Sequence, residues 1–129
     1  MSEPSGDDAF PPVDRALVRE RLAVERAGTN AQIEALSRDY DAIVEANALV
    51  AVDDEHDPEG SSTAFERAHV ASLLAQARVH LADLERALER LERDDYGRCE
   101  ECGEPIPAER LEVRPAASTC VRCAAGRPR

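Results

Sequence analysis

Tryptophan and lysine are absent from this chain of 129 residues, and aromatic residues make up only 3% of it. Charged residues reach 33%, so the composition does not favour a thick globular core and is typical of long amphipathic helices or coiled coils. No apolar run approaches the ~20 residues that cross a bilayer. The acidic N-terminus has neither the basic segment nor the apolar segment of a secretion signal. The sequence therefore predicts a cytoplasmic protein with no membrane segment.

The negative charge is concentrated before residue 96. Residues 1–95 contain 10 Arg and 22 acidic residues, residues 96–129 contain 6 Arg and 5 acidic residues, and the whole chain carries −11. An acidic surface repels the phosphate backbone of DNA, whose binding depends on cationic groups. We therefore expect no sequence-specific nucleic-acid binding and favour a basic protein surface as the partner. The sequence contains no Ser–His–Asp or Cys–His constellation, phosphate-binding loop or dinucleotide fingerprint, so we do not expect an enzyme.

Two stretches of apolar residues follow the 4-3 spacing of a coiled coil. The first comprises Val18, Leu22, Ile33, Leu36, Tyr40, Ile43 and Val50, with Thr29 and Asn47 as polar members. The second comprises Val70, Leu74, Ala77, Leu81, Leu84, Leu88 and Leu91. A short connection between two helices makes them antiparallel neighbours. The sequence thus predicts a mainly α fold, a long antiparallel two-helix coiled-coil hairpin followed by a small C-terminal module.

Local signals set the expected ends of these helices. Asp14 is placed to cap the first helix, and Thr63-x-x-Glu66 is a capping box that predicts a second helix starting near residue 63. Gly97 suits the left-handed residue that follows a helix end. Gly28-Thr29-Asn30 joins three weak helix formers and predicts a kink or an interruption in the first helix.

The predicted domains are a disordered lead-in at 1–12, the hairpin at 13–95 with an acidic tip at 53–62, a zinc finger at 96–123 and a short tail at 124–129. The lead-in could alternatively fold back as a third helical segment. We expect a monomer because the hairpin buries its own apolar seam, although that seam would also allow pairing with a second copy.

Four cysteines stand in two matched pairs near the C-terminus. The pattern Cys99-x-x-Cys102, 17 intervening residues, and Cys120-x-x-Cys123 is the spacing of a four-cysteine zinc site. Gly103 gives the first turn the backbone freedom that it needs. Two disulfides or a redox-active pair are the alternatives, which a reducing compartment and the lack of a strand–helix–strand pattern disfavour. Four thiolates leave no open position on the metal, so we expect one structural zinc ion.

The connection between the helices is crowded with carboxylates and is a candidate partner-binding tip. Its acidic residues are Asp53, Asp54, Glu55, Asp57 and Glu59. Those at 53–55 lie near the C-terminal end of the first helix, where the helix dipole disfavours negative charge, so local stability does not account for the whole cluster. A solvated polar turn is the alternative interpretation. An EF-hand is not supported, because Pro58 and Ala64 stand where the calcium loop needs Gly and Glu.

The region from Tyr96 to Cys123 resembles the DksA/TraR family of bacterial transcription factors. The resemblance rests on Tyr96-Gly97-x-Cys99-x-x-Cys102-Gly103-x-x-Ile106-Pro107-x-x-Arg110-Leu111-x-x-x-Pro115, followed by Cys120-x-x-Cys123. The upstream hairpin and its Asp57-Pro58 connection extend it over residues 13–123. The resemblance implies a zinc-containing regulator that binds RNA polymerase directly, without recognising a promoter sequence, and that inserts its acidic coiled-coil tip into the secondary channel near the catalytic magnesium.

Two features depart from the family pattern. The best-known members carry Asp-x-x-Asp-x-Ala at the tip, whereas here Asp57 matches and Gly60 and Ser62 take the places of the second Asp and the Ala. The sequence also ends six residues after Cys123, where members often have a further C-terminal helix and some a site for the alarmone ppGpp. The resemblance therefore does not carry tip activity or ppGpp dependence over to this chain.

Two other functions remain as alternatives. One is a zinc-finger adaptor whose hairpin binds a different protein. The other is transcript cleavage in the manner of the Gre factors, whose acidic tips hold a second magnesium ion in the polymerase active site. Gre factors lack a four-cysteine finger, which favours the regulator over this enzymatic reading.

Overall fold

The computed structural model describes the backbone of residues 14–53 and 58–126 and the side chains of residues 14–49 and 62–126. The helices are α1 (Arg15–Asp53), α2 (Pro58–Glu92), α3 (Ala108–Val113) and α4 (Val121–Gly126). The mainly α fold predicted from the sequence is confirmed. None of these helices is both long and apolar enough to cross a membrane. The predicted disordered lead-in at 1–12 lies outside the described residues.

The two long helices run antiparallel. The Arg15 guanidinium, at the start of α1, donates to the backbone carbonyl of Leu91 at 2.8 Å, near the end of α2. One turn further along α1, Arg19 pairs with Glu92 at 3.0 Å. Both ion-pairing side chains are largely exposed, so these contacts fix the register more than they add stability.

The predicted start of α1 is confirmed, whereas the predicted start of α2 is wrong. The Asp14 carboxylate accepts the N–H of Leu17 at 3.2 Å, which is the N-cap bond expected of it. The second helix begins at Pro58, five residues before Thr63. Proline fits the first position of a helix because its missing N–H would have no partner there, and its fixed φ is already helical. The proline therefore starts the helix, and the Thr63-x-x-Glu66 pattern lies within it.

The end of α2 also differs from the expectation. The left-handed residue after the helix is Asp94, at φ 63°, not Gly97. The N–H of Asp95 donates to Arg90 O at 2.7 Å, and the N–H of Asp94 donates to Leu91 O at 3.2 Å, which together form a Schellman motif. Gly97 has φ 90°, but it lies in the segment that enters the finger.

The contacts of the chain define two compact units. One joins residues up to Arg26 with those from Ala82 onward, and the other comprises Ala27–Leu81. Among the described side chains of the Ala27–Leu81 unit, those of Thr29, Leu74 and Ala77 are buried. The half-buried seam positions there are Ile33, Leu36, Tyr40, Ile43, Asn47, Val70 and Leu81. The predicted heptad seam is confirmed at all of these positions, and Val50 lies outside the described side chains.

The other unit contains the bases of both helices and the cysteine-bearing segment. Its main apolar cluster comprises Leu22, Leu84, Ala87, Leu91 and Tyr96, with Val18, Leu88, Leu111 and Ala116 packed against it. A second cluster is formed by Cys99, Ile106 and Cys120, with Leu111 and Cys123 packed against it. Leu111 contacts both clusters, so the cysteines lie directly beside the core that α1 and α2 build.

Candidate metal centre

The first cysteine pair lies on a tight turn between Gly97 and Ile106. The N–H of Cys99 donates to Glu104 O at 2.8 Å, and the N–H of Gly103 donates back to Cys99 O at 3.0 Å. The turn needs a left-handed residue, and Gly103 supplies it at φ 79°, as the sequence predicted. The N–H of Ile106 closes the base of the turn on Gly97 O at 2.7 Å.

The second pair lies at the start of α4. Cys120 immediately precedes the helix, and Cys123 is its third residue. The N–H of Ala124 donates to Cys120 O at 3.0 Å, so the first helical turn holds the two cysteines on one side. The two pairs are joined through their backbones, because the N–H of Glu100 donates to Ser118 O at 2.8 Å.

The four sulfur atoms converge around one position. The Sγ atoms of Cys99, Cys102, Cys120 and Cys123 all lie within 4.8 Å of one another. All four cysteines are free, and the Cys102 and Cys120 sulfurs are 3.9 Å apart, far longer than a disulfide. Four sulfurs at Zn–S distances of ~2.3 Å on a tetrahedron are about 3.8 Å apart. The donor set and its spacing therefore fit a zinc ion, and the disulfide alternative is not observed.

The protonation of the thiols shows why a cation belongs here. Burial disfavours the Cys99 thiolate, but backbone hydrogen bonds from Cys102, Cys120 and Glu101 outweigh it and lower the pKa of Cys99 to about 6. Backbone hydrogen bonding from Cys123 likewise lowers the pKa of Cys120. Hydrogen bonding with Cys120, together with burial, raises the pKa of Cys123 to about 12. The surroundings thus favour the thiolate at Cys99 and Cys120 and the thiol at Cys123, whereas a divalent cation at the centre of the site favours thiolates.

The arrangement is a structural site rather than a catalytic one. Cys99 and Cys120 are buried, with 3% and 8% of their surface exposed, and Ile106 packs against them with 1% exposed. Four thiolates complete a tetrahedral zinc ion and leave no position for water or substrate. Among the described residues, these cysteines are the only cluster of metal-ligating side chains.

The acidic tip is a prediction that the structure does not test. Asp53 is the last residue of α1, and Glu59 is the second residue of α2. Asp54, Glu55 and Asp57 lie outside the described residues, as do the side chains of Asp53 and Glu59.

Two residues that support the site were missed by the sequence reasoning. Arg90 is buried at the end of α2, with 5% of its surface exposed. Its guanidinium donates to Asp95 O at 3.0 Å and to Arg98 O. Arg110 donates through Nε to Thr119 O at 2.9 Å. A charged residue beside the seam position Leu91 gives no sign of burial, so the sequence did not reveal the role of Arg90, and Arg110 entered only as a member of the family signature.

Comparison with known proteins identifies the cysteine-bearing segment. The family model of the prokaryotic dksA/traR C4-type zinc finger matches residues 94–129. The predicted family resemblance and the predicted zinc ion are both confirmed by this match together with the four convergent cysteines.

Several curated proteins are similar in sequence to part of this chain. YteA of Bacillus subtilis (strain 168) is 38% identical over 80 residues, which is 62% of this chain and 32% of that protein. The RNA polymerase-binding transcription factor DksA of Haemophilus influenzae is 48% identical over 40 residues, 31% of this chain and 28% of that protein. The Escherichia coli (strain K12) protein of the same name is 45% identical over 40 residues, 31% of this chain and 26% of that protein. The chain thus spans about a third or less of the length of the curated relatives it matches.

A solved structure matches over a greater length. The structure of transcription factor DksA2 from Pseudomonas aeruginosa aligns with 95% of this chain and 88% of its own, with a TM-score of 0.70 and 27% sequence identity. The similarity therefore includes the long helices as well as the finger.

Proposed function

We propose that this chain, whose C-terminal segment is a DksA/TraR C4-type zinc finger, regulates transcription by binding RNA polymerase directly. The observation that carries the proposal is the combination of one closed four-cysteine site with a long antiparallel helix pair. The DksA2 structure matches that combination over 95% of this chain. The similar proteins of H. influenzae and E. coli are named as RNA polymerase-binding transcription factors. The chain acts by binding and not by catalysis.

In this proposal the connection between α1 and α2 is the element that acts on the polymerase. Asp53, Asp54, Glu55, Asp57 and Glu59 give it concentrated negative charge. It enters the secondary channel, where the catalytic magnesium and basic protein groups provide complementary charge. The effect is a change in the lifetime of promoter complexes, without sequence-specific contacts to DNA, and the protein works as a monomer in the cytoplasm.

The first experiment measures binding. Purified, zinc-loaded protein carrying an affinity tag is mixed with core RNA polymerase, and the retained polymerase is quantified. We expect retention by the intact chain and loss of retention with Cys99→Ser, which removes one zinc ligand. Failure of the intact zinc-loaded chain to retain core polymerase would exclude the proposal and favour the adaptor.

The second experiment tests whether the tip is the element that changes initiation. Transcription in vitro is compared for the wild type, Asp57→Asn and the matched control Asp41→Asn, which neutralises an exposed carboxylate in the middle of α1. We expect Asp57→Asn to retain polymerase but to lose most of the change in initiation, while Asp41→Asn behaves as the wild type. If neutralising Asp57 and its acidic neighbours changes nothing, the tip is not the active element.

A further inference from the structure

Two arginine side chains donate hydrogen bonds to backbone carbonyls at equivalent places in the two cysteine loops. Arg90, on α2, donates to the carbonyl of Arg98, the residue before Cys99. Arg110, on α3, donates to the carbonyl of Thr119, the residue before Cys120, at 2.9 Å. Each bond therefore fixes the peptide group that leads directly into the first cysteine of a pair.

Arg90 contacts the chain on both sides of Cys99. Besides Arg98 O, the guanidinium donates to Asp95 O at 3.0 Å and lies 3.8 Å from the carboxylate of Glu100, the residue after Cys99. Only 6% of the Arg90 side chain is exposed. A buried guanidinium is stable only when its N–H donors have acceptors. Because the guanidinium is planar and rigid, the acceptors that it contacts are held in fixed positions relative to one another.

Arg110 contacts the second cysteine loop from within the finger. Arg110 lies in α3 and is half-buried. The first turn of this helix is closed by a hydrogen bond from the N–H of Arg110 to Pro107 O at 3.0 Å. The loop that it holds is also tied to the first one, since the N–H of Glu100 donates to Ser118 O at 2.8 Å. The two arginines and this backbone bond together connect α2, both cysteine loops and α3.

We propose that Arg90 and Arg110 are positioning residues of the zinc centre, which hold the peptides before Cys99 and Cys120 in the folded finger so that the four sulfurs converge on the metal ion. Groups around a metal's ligands set affinity by orienting those ligands, and their removal commonly costs ~10–100-fold. In a segment that folds as it binds zinc, contacts that stabilise the folded ligand geometry raise the apparent zinc affinity.

The test measures zinc affinity in the full chain by competition with a chromophoric chelator. Each arginine is replaced by Gln, which keeps a polar side chain but removes the charge and the fork. Arg86→Gln is the control for Arg90→Gln, because Arg86 pairs with the same Glu100 carboxylate at 3.4 Å while its own side chain is 53% exposed. Arg114→Gln is the control for Arg110→Gln, because Arg114 is the exposed residue that caps α3.

We expect Arg90→Gln and Arg110→Gln to weaken zinc binding by about 10-fold or more, and both controls to stay within about 3-fold of the wild type. Arg→Lys at each position restores part of the affinity, since an ammonium can still donate to one carbonyl. Cobalt substitution gives an independent readout, because displaced sulfurs change the visible spectrum of a tetrahedral Co²⁺–thiolate site.

Two results would overturn the proposal. One is wild-type zinc affinity and cobalt spectrum in both Gln variants. The other is a loss of resistance to urea in the zinc-loaded variants with no change in zinc affinity, which would make the arginines structural only. Should Arg90→Gln fail to fold, Arg110→Gln decides the outcome, because Arg110 lies outside α1 and α2. None of these three measurements involves polymerase, so the result is independent of the proposed function.

Discussion

Tyr96 is the residue through which the end of α2 contacts the linker between the two cysteine pairs. Its ring belongs to the cluster with Leu22, Leu84 and Leu91, with 5% of its surface exposed. Its hydroxyl donates to Pro115 O at 2.8 Å. The phenol therefore combines apolar burial with the single polar contact that its position requires.

Replacing Tyr96 with Phe should lower the free energy of unfolding by about 1–2 kcal/mol, because the ring stays while the Pro115 carbonyl loses its buried donor. Urea titration of the zinc-saturated protein measures the change. Tyr40→Phe is the control, since Tyr40 is only half-buried in the Ala27–Leu81 unit. Equal effects of the two substitutions would show that the hydrogen bond to Pro115 is not the cause.

The same variant has a pH signature. Burial raises the pKa of the Tyr96 phenol, and the charge of Arg21 lowers it by less. A group whose pKa is raised on folding contributes its full stability below its unfolded pKa, about 10, and loses it as the pH rises through the folded value. The wild type should therefore lose more stability above about pH 10 than Tyr96→Phe.

Single residues differ in how well the sequence could reveal their roles. The cysteine spacing and Gly103 were predicted correctly, because metal ligation and a positive φ impose a residue type at a fixed interval. Arg90 and Arg110 were not predicted as supports. Their contacts with Arg98 O and Thr119 O depend on how α2 and α3 approach the cysteine loops, and no local pattern encodes that approach.

At the scale of the elements, α1 passes through Gly28-Thr29-Asn30 without the interruption that their weak helix propensity allowed. Thr29 is buried at a seam position, with 5% of its surface exposed. Packing of an amphipathic face supplies most of the stability of helices in proteins, so it overrides three weak helix formers. The predicted start of α2 is wrong for a different reason: the Thr63-x-x-Glu66 pattern predicts a start near residue 63, whereas proline suits the first helical position and breaks a helix only in its interior.

Gly28 is a site where this conflict can be relieved. It is exposed within α1, and a Cβ added there meets nothing within 4 Å. Gly28→Ala should therefore raise the free energy of unfolding by about 0.5–1 kcal/mol, through the helix propensity of alanine and the lower entropy of the unfolded chain. Thermal or urea unfolding followed by circular dichroism measures it.

Gly103→Ala is the matched control for Gly28→Ala. Gly103 is also exposed, and a Cβ there also meets nothing within 4 Å, but its φ is +79°. Alanine at a left-handed position should destabilise the finger by about 1 kcal/mol. The two substitutions thus differ in backbone conformation and not in crowding. A shift of the same sign at both positions would contradict this explanation.

At the scale of the whole molecule, the two units draw on different sources of stability. In the Ala27–Leu81 unit, the seam side chains of the two long helices supply the burial, among them Leu74 and Ala77. The cysteine-bearing segment has a small cluster of its own, Cys99, Ile106 and Cys120. A segment below about 40 residues with so little apolar material usually needs a metal or disulfides to fold. Because its cysteines are free thiols, we expect its fold to depend on the zinc ion.

Removing zinc with a strong chelator should therefore unfold the finger while most of the helical signal remains. The helices within the finger, α3 and α4, have six residues each, whereas α1 and α2 have 39 and 35. Amide hydrogen exchange should accelerate across residues 97–126 and stay slow at the seam positions of the Ala27–Leu81 unit, with circular dichroism recorded on the same samples.

Cys99→Ser should reproduce the chelated state without a chelator, and restoring zinc should reverse the change in the wild type alone. Collapse of the whole helical signal would mean that the zinc-bound finger is required for the long helices to form, and unchanged exchange in the finger would mean that its fold does not need the metal.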